Sequence, residues 1–454
     1  MPLDADLLTQ IGNTPLVELR NIDTGPCRLF VKLESQNPSG SIKDRIAVSM
    51  IDAAEQAGRL KPGGRIVEAT AGNTGLALAL VAARRGYHLT LVIPDKMSRE
   101  KIAHLKAMGA EVVLTRSDVG KGHPEYYQDL AEDLARATGA FYTDQFNNSA
   151  NPLAHERGTG PEIWRQTGGK VDAVVAGVGS GGTITGLSRF FAAVSPATEI
   201  VLADPQGSIL AEYTRSGAVG EAGSWLVEGI GEDFVPPVSD LSRVSKAYTI
   251  PDGESFGTAR IVLRKEGILV GSSSGTLIAA ALRYCREQPE AKNVVTLVCD
   301  SGNKYLSKMY NDFWMEDQGL LKRDSFGDLR DLIARRHEEG TCVVASPDDT
   351  LATAYKRMKL YDVSQLPVLL GDTCVGIIDE SDILLAVEER HILFDAPVQT
   401  AMVTRLETVS PSTPVEQLIR LFDRGRVAIV VDGDRFLGLI TRIDFLNHLR
   451  RKAA

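Results

Sequence analysis

The sequence predicts an α/β protein in which mostly parallel sheets are covered by helices and are followed by a smaller tandem α/β module. Three observations predict it. Between about residue 60 and residue 300, short β-branched runs alternate with amphipathic stretches. Glycine-rich turns recur where a run passes into a stretch, and the last part of the chain contains an internal repeat. With 454 residues, 43% of them apolar, the chain exceeds what one core usually supports and can bury two or three.

The N-terminal segment MPLDADLLTQIGNTP has no basic region ahead of an apolar one, and no later run reaches the ~18 apolar residues of a membrane span. A cytoplasmic protein with no membrane partner is the expectation. NPSGSIKDRIA (37–47) is a turn that opens a helix with Lys43 near its start. RIVEA (65–69), LTLVIP (89–94) and EVVLT (111–115) read as strands, separated by the helical stretches TGLALALVAARRG and SREKIAHLKAMG. The alternation resumes with VDAVVAGV (171–178), TITGLSRFFAAV and EIVLADP (199–205). Strands joined by helical crossovers imply parallel sheets.

The repeat lies beyond, where 366–387 aligns with 428–449: Gly371-Asp372 falls on Gly433-Asp434, Gly376 on Gly438 and Asp382 on Asp444. Each copy follows a helix introduced by Ser-Pro, at Ser346 and Ser410, which supply a cap and a first-turn proline. Each copy therefore reads as helix, hairpin with a Gly-Asp turn, and closing helix. The hinge ahead of the repeat falls near 315–330.

Three loops carry candidate chemistry. A lysine taken alone is a solvated charge, and Lys43 becomes a nucleophile only in a dry pocket that removes its proton. TAGNTG (70–75) is either a plain strand-to-helix turn capped by Asn73 or Thr74, or a carboxylate site at a helix start. GVGSGGT (177–183) satisfies G-x-G-x-x-G through Gly177, Gly179 and Gly182, and Asp204 ends a strand about 20 residues later, as a nicotinamide site requires. The same turn cradles any phosphate.

A net charge of −9 with interspersed signs excludes a phosphate-tracking nucleic-acid surface. The five cysteines are odd in number and widely spaced, with no C-x-x-C or Cys/His pattern, so free thiols and no structural metal are expected.

Seven motifs in order, IGNTPLVEL (11–19), NPSGSIKDR (37–45), EATAGNTG (68–75), NPLAHE (151–156), GSGGTITG (179–186), VEGIG (227–231) and GSSSGT (271–276), resemble the fold-type II pyridoxal-phosphate (PLP) enzymes, the cysteine synthase and cystathionine β-synthase family. The resemblance covers about residues 3–320. The stretch 305–321 is similar to the end of a cystathionine β-synthase catalytic domain, and the repeat resembles paired CBS domains, a Bateman module. It implies a catalytic domain over 1–320, a linker over 321–332 and CBS domains over 333–390 and 391–454.

The resemblance further implies β-replacement of serine by homocysteine to give cystathionine and water, with hydrogen sulfide release from cysteine. The alternative is a cysteine synthase-type reaction on O-acetylserine. Lys43 would be the Schiff-base lysine and the base that moves the Cα proton, and Asn73 would bond the PLP ring hydroxyl. Gly179, Ser180, Gly181, Gly182 and Thr183 would bind its phosphate, and Ser273 would face the pyridine nitrogen. Thr70, Gly72, Thr74 and Gln145 would hold the substrate carboxylate. A homodimer or higher homo-oligomer is implied, and no haem is expected because the catalytic motifs begin within the first dozen residues.

The pattern is departed from at Ala71 (usually serine), Phe146 (tyrosine), Glu232 (the tyrosine of GIGYDF) and Glu156 (the tyrosine of NPLAHY). Glu228 or Glu232 is expected to pair with the α-ammonium of homocysteine through a charge-assisted hydrogen bond. In the repeat, Thr441 and Asp444 would reach an adenosyl ligand. Asp379 stands at the corresponding hydroxyl position of the first copy, with Asp382 after it, and would repel a phosphate. S-adenosylmethionine is therefore favoured over AMP or ATP, and a purely bracing module is the alternative.

Overall fold

The computed structural model describes residues 6–70, 72–95, 99–120 and 122–453. It divides into two compact units, Met1–Asn311 and Asp312–Ala454. The first contains strands β1 (Leu16–Glu18), β2 (Arg28–Lys32), β3 (Arg65–Ala69), β4 (His88–Pro94), β5 (Glu111–Thr115), β6 (Phe141–Tyr142), β7 (Ala173–Ala176), β8 (Glu199–Pro205), β9 (Val244–Ile250) and β10 (Asn293–Leu297). They form a six-stranded sheet in the order β1-β2-β10-β7-β8-β9 and a four-stranded sheet in the order β5-β4-β3-β6. Among the described residues of this unit, the β1–β2 pair is the only antiparallel pair of these strands.

Burial on both faces explains the composition: all four residues of β7 are buried, as are the last four of β3. The 171–178 run is a strand over Ala173–Ala176 only, because the Val171 carbonyl accepts from the Thr198 hydroxyl (2.8 Å) and the Val178 carbonyl from Gly231 N–H (2.8 Å). The helix Asn73–Arg85 buries every residue from Thr74 to Ala82, and ends at Gly86 in the left-handed region (φ 74°) with its N–H on the Ala82 carbonyl. Its N-cap is Gly72 with no side-chain cap, so neither Asn73 nor Thr74 serves as one. Both side chains are engaged elsewhere. The loops after β3, β7 and β10 leave the carboxyl ends of parallel strands, where α/β sheets build their sites.

In the second unit, β11 (Gln365–Leu370) and β12 (Thr373–Asp379) form a hairpin, and β13 (Thr408–Val409), β14 (Ala428–Asp432) and β15 (Arg435–Ile440) form a three-stranded sheet. Gly371 (φ 63°) and Gly433 (φ 61°) open the two hairpin turns. The repeat extends to a detail: pairing slips between Val368 and Leu369 in one copy and between Val430 and Val431 in the other, at matching positions. Helices Glu380–Glu388 and Arg442–Ala453 close the two copies.

The Ser-Pro pairs do not cap the opening helices, which start later, at Leu351 and Val415. Thr350 caps the first by accepting from Thr353 N–H, and Pro414 precedes the second. Ser346 is instead folded into a turn, its N–H on the Asp349 carboxylate (2.7 Å).

Candidate active site

The site is built around one amine. Lys43 is the first residue of the helix Lys43–Gln56, and the chain just before it is pinned to the end of β10, with Ile42 N–H on the Cys299 carbonyl at 2.8 Å. Lys43 lines a cavity of about 330 Å3. Its side chain keeps some surface because it faces the cavity, while the protein around it strips water from the amine. That desolvation lowers the ammonium pKa, against an upward pull from Cys299, Asp300 and Glu232.

Thr70, Gly72, Asn73, Thr74 and Gln145 line the same cavity; Ala71 lies outside the described residues. The Thr74 hydroxyl donates to Gln145 Oε1 (2.8 Å), and Gln145 Nε2 donates to Glu68 Oε1 (3.3 Å). The Thr143 hydroxyl donates to the other Glu68 oxygen. Burial pushes Glu68 up to about 8, so at neutral pH this chain fixes Gln145 without adding a charge that would repel an anion. Asn73 donates to Asp300 (2.8 Å) and accepts from Lys304 (2.6 Å), which holds its amide at the wall.

Gly179, Ser180, Gly181 and Thr183 form the opposite wall, at the start of the helix Gly182–Val194. A Cβ on Gly179 would lie 2.4 Å from the Gly229 carbonyl oxygen, and one on Gly182 would lie 1.8 Å from Asn151 Oδ1. Gly181 has φ 87°. Side chains are thus excluded at these glycines, and the wall lies at the positive end of the helix dipole, where an anion would be favoured. Two residues without a sequence-assigned role brace this wall from beneath. Asn151 donates to Ser180 Oγ (2.9 Å), and the His155 ring meets Thr183 Oγ1 at 3.3 Å and Thr159 Oγ1 at 3.0 Å. Burial first, then Arg45 and Lys43, hold His155 well below its ordinary pKa, so it orients the Thr183 hydroxyl as a neutral ring. The NPLAHE motif marks both residues, but its spacing does not show that they fold under the glycine loop.

Asp204, which the nicotinamide reading requires at a ribose, is fully buried and accepts Ala211 N–H (2.8 Å). It serves the turn into the helix Leu210–Ser216 and is not at the cavity.

Ser273 lines the cavity in the first turn of the helix Ser272–Arg286, beside Cys299, whose thiol burial pushes up to about 12. Two carboxyl groups complete the lining, and their environments differ. Glu228 is bound by Lys101 and by Lys308 (2.7 Å). Burial works to raise it, but the two lysines prevail and hold it below its ordinary value. Its carboxylate is therefore already paired with two cations. The Glu232 carboxyl has no hydrogen-bond or ion-pair partner among the described residues. Burial first, then Asp233, raises it to about 8. Glu156 stands apart, on a half-exposed contact with Arg189 at 4.0 Å.

Comparison with known proteins identifies the family. The family described as pyridoxal-phosphate dependent enzyme matches residues 7–300. The chain belongs to that family. The CBS domain matches residues 331–389 and 398–451. A curated cystathionine beta-synthase of Apis mellifera is 36% identical over 98% of this chain and 91% of its own length. Cysteine synthase A of Escherichia coli is 44% identical over 68% of this chain and 96% of its own. Among solved structures, a hydrogen sulfide-producing enzyme from Fusobacterium nucleatum superposes with a TM-score of 0.63 at 36% identity, covering 67% of this chain and all (100%) of that one.

The residues present fit the family cofactor. A pyridoxal-phosphate dependent enzyme needs a desolvated lysine, a cradle for a phosphate dianion and a partner for the pyridine nitrogen. Lys43, the side-chain-free wall at Gly179 and Gly181, and Ser273 line one cavity. Among the described residues no group of three or more His, Cys, Asp or Glu is placed to hold a metal ion, and no helix is long and apolar enough to cross a membrane.

Proposed function

We propose that this enzyme replaces the β-hydroxyl of serine with the thiol of homocysteine, giving cystathionine and water, and that it releases hydrogen sulfide when cysteine takes the place of serine. The observation that carries the reading is that the desolvated amine of Lys43 shares the lining of one cavity with the loops at 70–74 and 179–183. Bound PLP supplies the electron sink that makes the Cα proton acidic and the β-substituent a leaving group. Thr70, Gly72, Thr74 and Gln145 hold the substrate carboxylate. Gly179 through Thr183 hold the phosphate, Asn73 bonds the ring hydroxyl, and Ser273 meets the pyridine nitrogen with a hydroxyl in place of a carboxylate. Lys43 takes the Cα proton and later returns it.

The relatives that match nearly the whole chain and carry the cystathionine beta-synthase name support this reading. The match to cysteine synthase A favours a second one, in which O-acetylserine and sulfide or homocysteine are the substrates. Mass spectrometry of products decides between them. Cystathionine from serine and homocysteine is the expected result, and product formed only when O-acetylserine replaces serine, cysteine with sulfide or cystathionine with homocysteine, would favour the second.

For the second unit we propose an adenosyl ligand. A cavity of about 560 Å3 is lined by Thr441, Asp444, Arg335 and Arg442. Thr441 donates both N–H (2.7 Å) and hydroxyl (2.6 Å) to the same Asp444 oxygen. Asp379 and Asp382 line a second cavity of about 320 Å3, where they form a reciprocal cap at the start of a helix. Asp379 and Asp382 favour a cationic sulfonium over a phosphate there, against Arg405 on the same lining and Arg426, which is paired with Glu407. S-adenosylmethionine at ~100 times its dissociation constant is expected to stabilise the protein by about 2.7 kcal/mol in a thermal shift, with AMP and ATP giving less. No shift from any of the three supports a bracing module. Unpaired cysteines support a cytoplasmic setting, and the exposed Leu384, Leu385, Ile443 and Leu446 support self-association.

A further inference from the structure

β-Replacement on serine has a proton requirement that Lys43 alone meets awkwardly. The bond from Cβ to oxygen breaks, and hydroxide is a poor leaving group unless it departs as water. The thiol that replaces it must lose a proton as the sulfur–carbon bond forms. Lys43 is occupied through this sequence with the proton from Cα.

The cavity offers two carboxyl groups, and Glu228 is neutralised by Lys101 and Lys308. Glu232 has no such partner among the described residues. Its backbone is nonetheless fixed: Glu232 N–H donates to Ser208 Oγ (3.1 Å), its carbonyl accepts from Ile209 N–H (3.1 Å), and Gly231 N–H is held by the Val178 carbonyl (2.8 Å) at the exit of β7. A side chain carried on a rigid loop, lining the cavity and engaged by nothing, is placed to act on what enters.

We infer that Glu232 is a catalytic acid–base residue of this cavity, giving its proton to the hydroxyl that leaves serine Cβ and taking one back from the incoming thiol. The balance closes. The acid loses a proton to the departing oxygen, which leaves as water, and the resulting carboxylate receives the thiol proton as sulfur bonds to Cβ. The side chain ends as it began. The surroundings favour the protonated form: burial, Asp233 and Asp204 raise it and Lys43 lowers it, with the net at about 8. Tyr126 and Tyr127 also feel Glu232, and both phenols are themselves raised by burial and keep their protons. A carboxyl that carries its proton at neutral pH is suited to donate it.

The inference rests on the serine reading, so the test separates the two. Holoenzyme and Glu232→Gln are assayed with homocysteine and either serine, whose leaving group needs a proton, or O-acetylserine, whose acetate does not. The expected result is that the rate ratio of serine to O-acetylserine falls ~100-fold in the variant. A pH-difference infrared spectrum provides a readout independent of turnover. A carboxylic-acid carbonyl band titrating near pH 8 should be present in the wild type and reduced in Glu232→Gln, the remainder belonging to Glu68, which lies at about 8 as well. Equal slowing with both substrates, a raised homocysteine KM at unchanged kcat, or an infrared band unaltered by the substitution each overturn the assignment. A wild-type enzyme that forms no cystathionine from serine overturns the serine reading itself, and the inference with it.

Discussion

Lys43→Ala is expected to lower β-replacement by ~10^4-fold, the upper range for loss of a positioned acid–base group, while leaving the folded protein intact. The amine has no hydrogen-bond or ion-pair partner among the described residues, and its ammonium form is already penalised by desolvation. Truncation therefore removes chemistry without stranding a partner, and the thermal midpoint of the cofactor-free protein should stay level or rise. Borohydride treatment followed by denaturing mass spectrometry gives the second readout. The wild type should retain the cofactor mass on the peptide that carries Lys43, and the variant should not. Substantial turnover in Lys43→Ala, or a cofactor fixed on another lysine, would sink the assignment. Lys101, Lys304 and Lys308 are the natural controls, because they stand nearby with other commitments: Lys101 and Lys308 hold Glu228, and Lys304 holds Asn73.

What the sequence disclosed follows from the range of the interactions involved. Strands β3, β4 and β8 were legible because strands buried on both faces are written as short continuous apolar runs, and β5, a partly exposed edge strand, because Val112 and Val113 favour an extended chain. β6, two residues long, carries no such signal, and the pairing of β2 with β10 joins Lys32 to Leu297, distant parts of the chain that no local pattern connects. The glycine turns were legible for the same local reason. Their packing was not: Gly179 is required by the Gly229 carbonyl and Gly182 by Asn151, as well as by any phosphate. Glu228 illustrates the limit. Its two lysine partners, Lys101 and Lys308, are far away in sequence and meet it only in space, so no local pattern announces them. In the repeat, Gly-Asp turns were placed correctly by residues that impose their own conformation, whereas Ser346 lost the capping role to Thr350 because its turn is tied to Asp349.

The second large effect is expected at a charge network that the catalytic mechanism does not use. Lys32, Arg45, Glu34 and Glu162 are buried together beside the helix that starts at Lys43. Lys32 Nζ meets Glu162 at 2.7 Å and the Thr14 carbonyl at 2.6 Å. Arg45 meets Glu34 and Glu162, each at 2.7 Å. Two cations face two carboxylates, so Glu162→Ala leaves an uncompensated positive charge in the interior, at a cost of about 3–5 kcal/mol. Burial opposes the Glu162 charge, but Arg45 and Lys32 outweigh it and hold the carboxyl at about 2, well below the ordinary range. A depressed carboxyl contributes stability that is full above its unfolded value and is lost as pH falls toward about 2. The wild type should therefore lose its advantage over Glu162→Ala on acidification through that window. Urea midpoints of both proteins at neutral and acid pH measure this, and equal midpoints at neutral pH would refute the account. Lys32→Met combined with Glu162→Met removes a cation and a carboxylate together, and should recover much of the loss, since a paired apolar replacement strands no charge. Because Arg45 lies two residues beyond Lys43 on one helix, any folded fraction of Glu162→Ala should also bind PLP more weakly: the charge that fixes the helix is the charge that aims the lysine.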